Sequence, residues 1–256
     1  MTFLRKEMCN GCKRKIEVYE IEIIGGPQKG KTMEWKKGCV CEDIELAKKA
    51  KEHYNEMKLR KMQEIFNRNS LISKDLEKAT FENYLPKNKS QEYAKKVSMR
   101  YVEIFDLEKP RNLSFHGSFG LGKSHLAKSI ADGVMEKGFT AIFISVPKLL
   151  RKIKSTFSNK SDVNADEILT MLEKVNLLIL DDLGAENHTD WVAETVFDII
   201  DSRQGKHTIY TTNYSPDDLI EKLGERNFSR VFNQDTTILE VEGENHRLQK
   251  FKGGGE

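Results

Sequence analysis

Two segments of the chain have the spacing of a phosphate-binding loop, in which two glycines five residues apart precede a lysine and a hydroxyl residue. They are residues 25–32 (GGPQKGKT) and residues 117–124 (GSFGLGKS). In such a loop the backbone amides face the phosphates, the lysine reaches the β- and γ-phosphates, and the hydroxyl ligates Mg²⁺. Because short patterns also arise by chance, the flanking elements must distinguish a nucleotide site from a turn.

The flanks of the second segment suit a nucleotide site. LSFHG precedes it with a strand pattern and KSHLAKSIADGVMEK follows with a helical one, so the loop would open a helix N-terminus toward the phosphates. We expect Lys123 to reach the β- and γ-phosphates and Ser124 to bind Mg²⁺. The predicted ATP-binding residues are Gly117, Ser118, Phe119, Gly120, Leu121, Gly122, Lys123, Ser124 and His125.

The first segment has different surroundings. No helical pattern follows it, and Pro27 removes one amide donor from the loop. We interpret it as a hairpin turn with a solvated tip. The alternative is a contact surface for single-stranded nucleic acid or a protein, because lysines surround an aromatic residue there. These residues are Trp35, Lys29, Lys31, Lys36 and Lys37.

Three polar residues follow later apolar runs, in LLILDD and TIYTTN. A buried strand ending at Asp181 would supply a carboxylate to the Mg²⁺ shell, and Asp182 would polarise the attacking water. Many such ATPases have Glu at this second position, so the shorter Asp predicts slow hydrolysis. Asn213 is expected either to position water against the γ-phosphate or to cap the turn that follows it.

Three arginines near the C-terminal end are candidates for contact with a γ-phosphate. Arg226 and Arg230 lie four residues apart in ERNFSRVF and so share one helix face, and Arg247 follows the last predicted strand. In an assembly, such an arginine raises the hydrolysis rate by orders of magnitude. The competing interpretation for each is a surface ion pair.

The four cysteines all lie within the first 41 residues, at Cys9, Cys12, Cys39 and Cys41. A reducing cytosol disfavours disulfides, and CNGC together with CVC supplies four thiolates for a tetrahedral Zn²⁺. Four reduced structural thiols are the alternative. KIEVYEIEI and KTMEW predict a β-hairpin whose open ends bring the two pairs together, and zinc would stabilise this small unit rather than catalyse.

The remaining sequence alternates strand and helix patterns, which predicts an α/β fold. Several strands are continuous apolar runs, typical of parallel strands covered on both faces. We predict a zinc-binding module at 1–41, a helical linker at 42–75, an ATPase domain with a roughly five-stranded parallel sheet at 76–250, and a disordered tail at 251–256.

Composition limits the classes of partner. The net charge is +2, with 38% hydrophobic and 32% charged residues, so any nucleic-acid contact must come from a local patch. No apolar run is long enough for a membrane span, and the N-terminus lacks the apolar core of a signal peptide. The sequence therefore predicts a cytoplasmic protein with no membrane partner.

Five segments occur in an order that resembles the DnaC/DnaI-type helicase loaders, a branch of the AAA+ ATPases: GSFGLGKSHLAKSIA, LLILDDLGAE, TIYTTNYSPDDL, LGERNFSRVF and EGENHR. The resemblance implies an ATPase that places the replicative hexameric helicase on single-stranded DNA as a nucleotide-dependent homo-oligomer. It implies Asn213 as sensor 1, Arg230 as the trans-acting finger and Arg247 as sensor 2. Relatives often have an acid before the finger, and Ser229 stands there, so Arg226 remains an alternative.

The cysteine unit adds to this resemblance, because DnaI-like loaders place a zinc-binding module before the ATPase domain and use it to engage the helicase. Slow hydrolysis, stimulated by DNA or the partner, would release the loader. Two alternatives remain. IstB-type transposition helper ATPases share most of the motifs, and an ATP-binding adaptor that hardly hydrolyses would also accommodate the short Asp182.

Overall fold

The structure is a computed structural model that describes residues 1–68, 74–157, 164–187 and 189–246. The chain divides into two compact units, Met1–Lys58 and Leu59–Glu256. The predicted sensor residue Arg247 and the predicted tail at 251–256 lie outside the described residues. None of the helices within the described ranges combines the length and the apolar character needed to cross a membrane.

The first unit contains a three-stranded antiparallel sheet in the order β1-β2-β3: β1 Thr2–Met8, β2 Lys15–Glu22 and β3 Thr32–Lys37. β2 and β3 form the predicted hairpin, and the amide of Ile23 donates to the carbonyl of Lys31 across the turn at 2.8 Å. β1 was not predicted. Its side chains are exposed on both faces, so its sequence lacks the apolar alternation that indicates a strand.

A long helix, α1 (Cys41–Arg68), begins at the last cysteine and continues through a Gly- and Pro-free segment that predicts a helix. Glu42 and Asp43 lie in its first turn, where their charges complement the positive end of the helix dipole.

The second unit alternates helices and strands. Its elements are α2 Lys74–Glu77, α3 Lys89–Glu103, β4 Asn112–His116, α4 Lys123–Glu136, β5 Ala141–Ser145, α5 Val146–Ser155, α6 Ala165–Lys174, β6 Leu177–Asp181, α7 Asp190–Ser202, β7 His207–Thr211, α8 Pro216–Leu223, α9 Glu225–Val231 and β8 Thr236–Glu240.

Five of these strands form one parallel sheet in the order β5-β6-β7-β4-β8, which confirms the predicted α/β fold. β6 and β7 are buried along their whole length, and separate apolar clusters pack on the two faces of the sheet. Because parallel strands share one carboxyl edge, the residues that follow β4, β6 and β7 emerge side by side. This edge positions the candidate site.

The amino edge of the same sheet holds a buried histidine, His207. The backbone amide of Arg111 donates to His207 Nδ1 at 3.3 Å, so this nitrogen is unprotonated and Nε2–H donates to the Asp106 carbonyl at 3.0 Å. The Tyr101 hydroxyl also lies 2.8 Å from Nδ1. Burial lowers the pKa of His207, and the surrounding contacts accommodate the neutral ring.

This histidine makes the stability of the second unit depend on pH. Its folded pKa lies below the unfolded value of about 6.5, so the unfolded chain binds the extra proton as pH falls. The free energy of unfolding should be fully retained above about pH 6.5 and decline below it. Urea unfolding at pH 7.5 and 5.5 should show a smaller pH difference for His207→Asn than for the wild type. His53→Asn, at an exposed position on α1, is the control, and equal pH dependence in all three proteins would contradict this assignment.

Candidate functional site

The segment between β4 and α4 forms a loop that requires glycine. Gly117, Gly120 and Gly122 have φ angles of 137°, 73° and 88°, a region that other residues rarely adopt. A Cβ at Gly117 would lie 2.1 Å from the Val241 carbonyl oxygen, and one at Gly122 would lie 2.4 Å from the Tyr84 ring. At these positions the loop backbone lies too close to its neighbours to leave room for a side chain. The loop ends at the N-terminus of α4.

Lys123, the first residue of α4, lies inside this loop and is only 5% exposed. Its Nζ donates to the carbonyls of Gly117 and Ser118, both at 2.7 Å, and to Asn213 Oδ1 at 2.8 Å. All three acceptors are uncharged, so phosphate oxygens could replace them as stronger partners for the ammonium group.

Asp181, the last residue of β6, contacts the other predicted Mg²⁺ ligand. Its carboxylate accepts hydrogen bonds from the Thr211 hydroxyl at 2.6 Å and from the Ser124 hydroxyl. Burial, reinforced by the charge of Asp182, raises the pKa of Asp181 to about 6. A carboxylate and a hydroxyl in contact beside a phosphate loop are oxygen ligands of the kind that Mg²⁺ binds.

Asp182 and Asn213 form the second half of the site. Asn213 Nδ2 donates to Asp182 Oδ1 at 3.3 Å while Asn213 Oδ1 accepts from Lys123, so Asn213 joins the acid to the lysine. Ser215, rather than Asn213, caps the following helix α8. Asp182 has a φ of 58°, and its amide donates to the Thr211 hydroxyl at 3.1 Å.

Four residues near the loop were not predicted as site residues. The Thr211 hydroxyl bonds both the Asp181 carboxylate and the Asp182 amide. The sequence indicates this role only by placing a hydroxyl residue at the end of an apolar strand. The Tyr84 hydroxyl donates to the Leu121 carbonyl at 3.3 Å, and the Tyr84 ring packs 5.3 Å from that of His125. From the C-terminal side, the His246 amide donates to the Gly120 carbonyl at 3.1 Å, and the Asn245 side chain adjoins Gly120.

The two candidate arginines of α9 belong to a different surface. Arg226 and Arg230 lie over the Phe197 ring of α7, 3.4 and 4.5 Å from its centroid. Arg230 Nε also pairs with Asp201 at 2.7 Å, and its side chain is 30% exposed. These contacts are with α7, separate from those that join Lys123, Asp181, Asp182 and Asn213. An ion pair this exposed contributes little stability, so Arg230 is available to another partner.

The four cysteines come together in the first unit, where their sulfur atoms all lie within 4.8 Å of one another. The Sγ atoms of Cys39 and Cys9 are 3.2 Å apart, close to the roughly 3.8 Å expected for thiolates on a tetrahedral zinc. The backbone amide of Cys12, the Cys39 thiol and the amide of Gly11 donate to Cys9 and lower its pKa to about 6, whereas hydrogen bonds with Cys39 and Cys12 raise the pKa of Cys41. The close grouping of four sulfur atoms fits a tetrahedral Zn²⁺.

Comparisons with known proteins match the part of the chain that contains the candidate ATP site. The family model described as IstB-like ATP binding protein matches residues 47–252. The replicative helicase loader DnaC of Escherichia coli K12 is 29% identical over 197 residues, which is 73% of this chain and 79% of the relative. The replicative helicase loader DnaI of Bacillus subtilis is 32% identical over 114 residues, covering 43% of this chain and 36% of the relative.

Solved structures agree with these relatives. A crystal structure of the DnaC helicase loader has a TM-score of 0.61 at 32% identity and covers 66% of this chain and 100% of that one. A crystal structure of DnaI has a TM-score of 0.59 at 24% identity and covers 69% of this chain and 95% of that one. This match shows a likeness in fold alone. The family match begins at residue 47, so the cysteine cluster lies outside it.

Proposed function

Because the chain belongs to the family of IstB-like ATP-binding proteins, we propose that it is an ATP-dependent loader of the replicative hexameric helicase onto single-stranded DNA. The observation that carries this proposal is the match over 79% of the length of a replicative helicase loader, in a chain whose ATP-site residues are in contact. A loader of this kind acts in the cytoplasm, where bacterial DNA is replicated.

We propose the following division of work at the ATP site. The loop amides and Lys123 bind the β- and γ-phosphates, and Ser124 and Asp181 would hold Mg²⁺, which would neutralise phosphate charge. Asp182 accepts a proton from the attacking water, and Asn213 orients Asp182 by its amide hydrogen bond. The short side chain of Asp182 keeps basal hydrolysis slow, and DNA or the helicase stimulates it.

The first unit is the proposed helicase-binding part. The four cysteines would hold Zn²⁺, which would fix β1–β3 and the start of α1. On α1, the large apolar side chains of Leu46, Tyr54 and Met57 are 59–69% exposed. Large apolar side chains exposed along a helix are typical of a surface that binds a partner. We propose that these residues dock on the helicase.

We further propose that the chain forms nucleotide-dependent homo-oligomers in which Arg230 reaches the γ-phosphate of a neighbouring subunit. Arg230→Ala should lower kcat by about 1,000-fold with ATP affinity little changed, whereas Arg226→Ala should have a smaller effect. Hydrolysis assays on separate and mixed variants test this. Mixing Arg230→Ala with Lys123→Ala subunits should restore part of the activity, because one supplies an intact loop and the other an intact arginine.

A defect confined to Arg226→Ala would assign the finger to Arg226 instead. Failure of the mixture to exceed either variant alone, with both proteins folded, would count against action in trans.

Partner capture tests the proposed function. The tagged chain, incubated with Mg-ATP, should retain the replicative hexameric helicase, and Met57→Ala should retain less of it while hydrolysing ATP normally. The family model also favours a second candidate, an IstB-type transposition helper. Capture of a transposase without the helicase would support that candidate and overturn the loader.

A further inference from the structure

The sheet of the first unit has a row of three aromatic rings on one face. Strand register places Phe3 opposite Tyr19 and Tyr19 opposite Trp35, so each strand contributes one ring. The ring centroids are 5.7 Å apart for Phe3 and Tyr19 and 6.0 Å apart for Tyr19 and Trp35. We call these three residues the aromatic ladder.

The ladder occupies the exposed face of the sheet. Ile16 and Val18 alternate with Tyr19 along β2 and are buried on the opposite face. Phe3 is 50% exposed and Trp35 is 41% exposed, so much of their surface remains in contact with water. Soluble proteins rarely leave a contiguous aromatic patch exposed unless it binds something.

The charges beside the ladder favour a polyanion. By strand alternation Lys6, Lys15 and Lys37 share its face with a single acid, Glu17. That acid is already partnered, since the Tyr19 hydroxyl donates to it at 2.9 Å and Lys6 Nζ lies 3.3 Å away. Residues 1–40 contain nine lysines and arginines against five glutamates, so the surroundings of the face are also basic.

We propose that the aromatic ladder binds single-stranded DNA, with bases stacked on its rings and the lysines on the phosphates. Aromatic rings on adjacent strands of a sheet bind unpaired bases in this way, and duplex DNA hides its base faces. The spacing of about 6 Å between rings exceeds the roughly 3.4 Å rise of stacked duplex bases, which suits an unstacked strand. The choice of DNA over RNA rests on the proposed function, but the contact needs no ATP.

The fluorescence of Trp35 reports directly on this contact. The chain has two tryptophans, so Trp191→Phe leaves Trp35 as the only one in the full-length, zinc-loaded protein. Titration with the oligonucleotide (dT)12 in the absence of nucleotide should quench Trp35 and saturate with the Kd measured by anisotropy of a labelled (dT)12. Duplex DNA of equal length should quench it much less.

Substitutions within the ladder then measure its contribution. Trp35→Ala should weaken (dT)12 binding by about 5- to 100-fold, and Trp35→Phe should retain most of the affinity because a ring remains. Asn10→Ser, at an exposed position between the first two cysteines, should bind (dT)12 like the wild type. Retention of zinc by each variant shows that the module is folded.

Three outcomes would overturn the proposal: no (dT)12 binding, binding without quenching of Trp35, or unchanged affinity in Trp35→Ala. Loss of helicase capture by Trp35→Ala with unchanged DNA affinity would assign the ladder to a protein instead. Each of these leaves the loader function intact if helicase loading persists. Conversely, if the chain binds (dT)12 through Trp35 but neither captures nor loads the helicase, the loader function is contradicted and the DNA-binding proposal is supported.

Discussion

Replacing Lys123 with alanine should abolish ATP hydrolysis and helicase loading while the protein stays folded. Lys123 is buried in the loop, and its Nζ bonds two loop carbonyls and Asn213, which in turn donates to Asp182. Removing the ammonium group takes away the positive charge that the γ-phosphate needs as the bond breaks. We expect kcat to fall at least about 100-fold, with weaker nucleotide binding.

Lys128→Ala is the matched control for this experiment. Lys128 lies on the same helix, five residues further along, and pairs with Asp132 on α4. Lys128→Ala should leave ATP hydrolysis and helicase loading near wild-type levels. Hydrolysis is measured with and without single-stranded DNA, and thermal unfolding verifies the fold of each variant. If wild type and Lys123→Ala were equally inactive and both supported loading, the chain would be an ATP-binding adaptor and not an ATPase.

Replacing Cys9 with serine should release zinc, unfold the first unit and prevent helicase capture. Among the described side chains of this unit, only those of Cys9, Ile16 and Val18 are buried, which is too small a core to hold three strands. Zinc binding to four thiolates supplies about 10–16 kcal/mol to the folding of small modules. The wild type should therefore contain about one equivalent of zinc per chain and the variant far less.

Asn10→Ser is the control, since Asn10 is exposed between the first two cysteines. It should keep its zinc and its partner. Basal hydrolysis should survive in Cys9→Ser, because the residues of the ATP site belong to the second unit. Elemental analysis of protein never exposed to chelator measures the zinc, and a wild type with less than about half an equivalent would contradict the assignment.

The sequence was sufficient to predict the elements that flank the two phosphate-loop patterns. Residues 117–124 lie between a strand and a helix, as their flanks predict, while residues 25–31 turn between two antiparallel strands. Both segments match the motif, so the motif alone did not distinguish them. The apolar run before Gly117 and the absence of a helical pattern after Thr32 distinguished them, because such patterns indicate burial and secondary structure.

The order of the strands in the five-stranded sheet could not be predicted from the sequence. That β6 ends at Asp181 could be predicted, but its neighbour in the sheet could not, so the hydrogen bond from Thr211 went unpredicted. Tyr84 reaches the loop from 37 residues upstream, and no short motif encodes such a contact. β1 was missed because its side chains are exposed, although it supplies Phe3 to the aromatic ladder.

The most direct test of the loader function is the deposition of helicase on DNA. The purified chain, the replicative helicase and Mg-ATP are incubated with circular single-stranded DNA, and the helicase hexamers that remain on the DNA after a high-salt wash are counted. The loader function predicts many-fold more hexamers with the wild-type chain than with helicase alone, and background levels with Lys123→Ala. Equal numbers with and without the wild-type chain would contradict it.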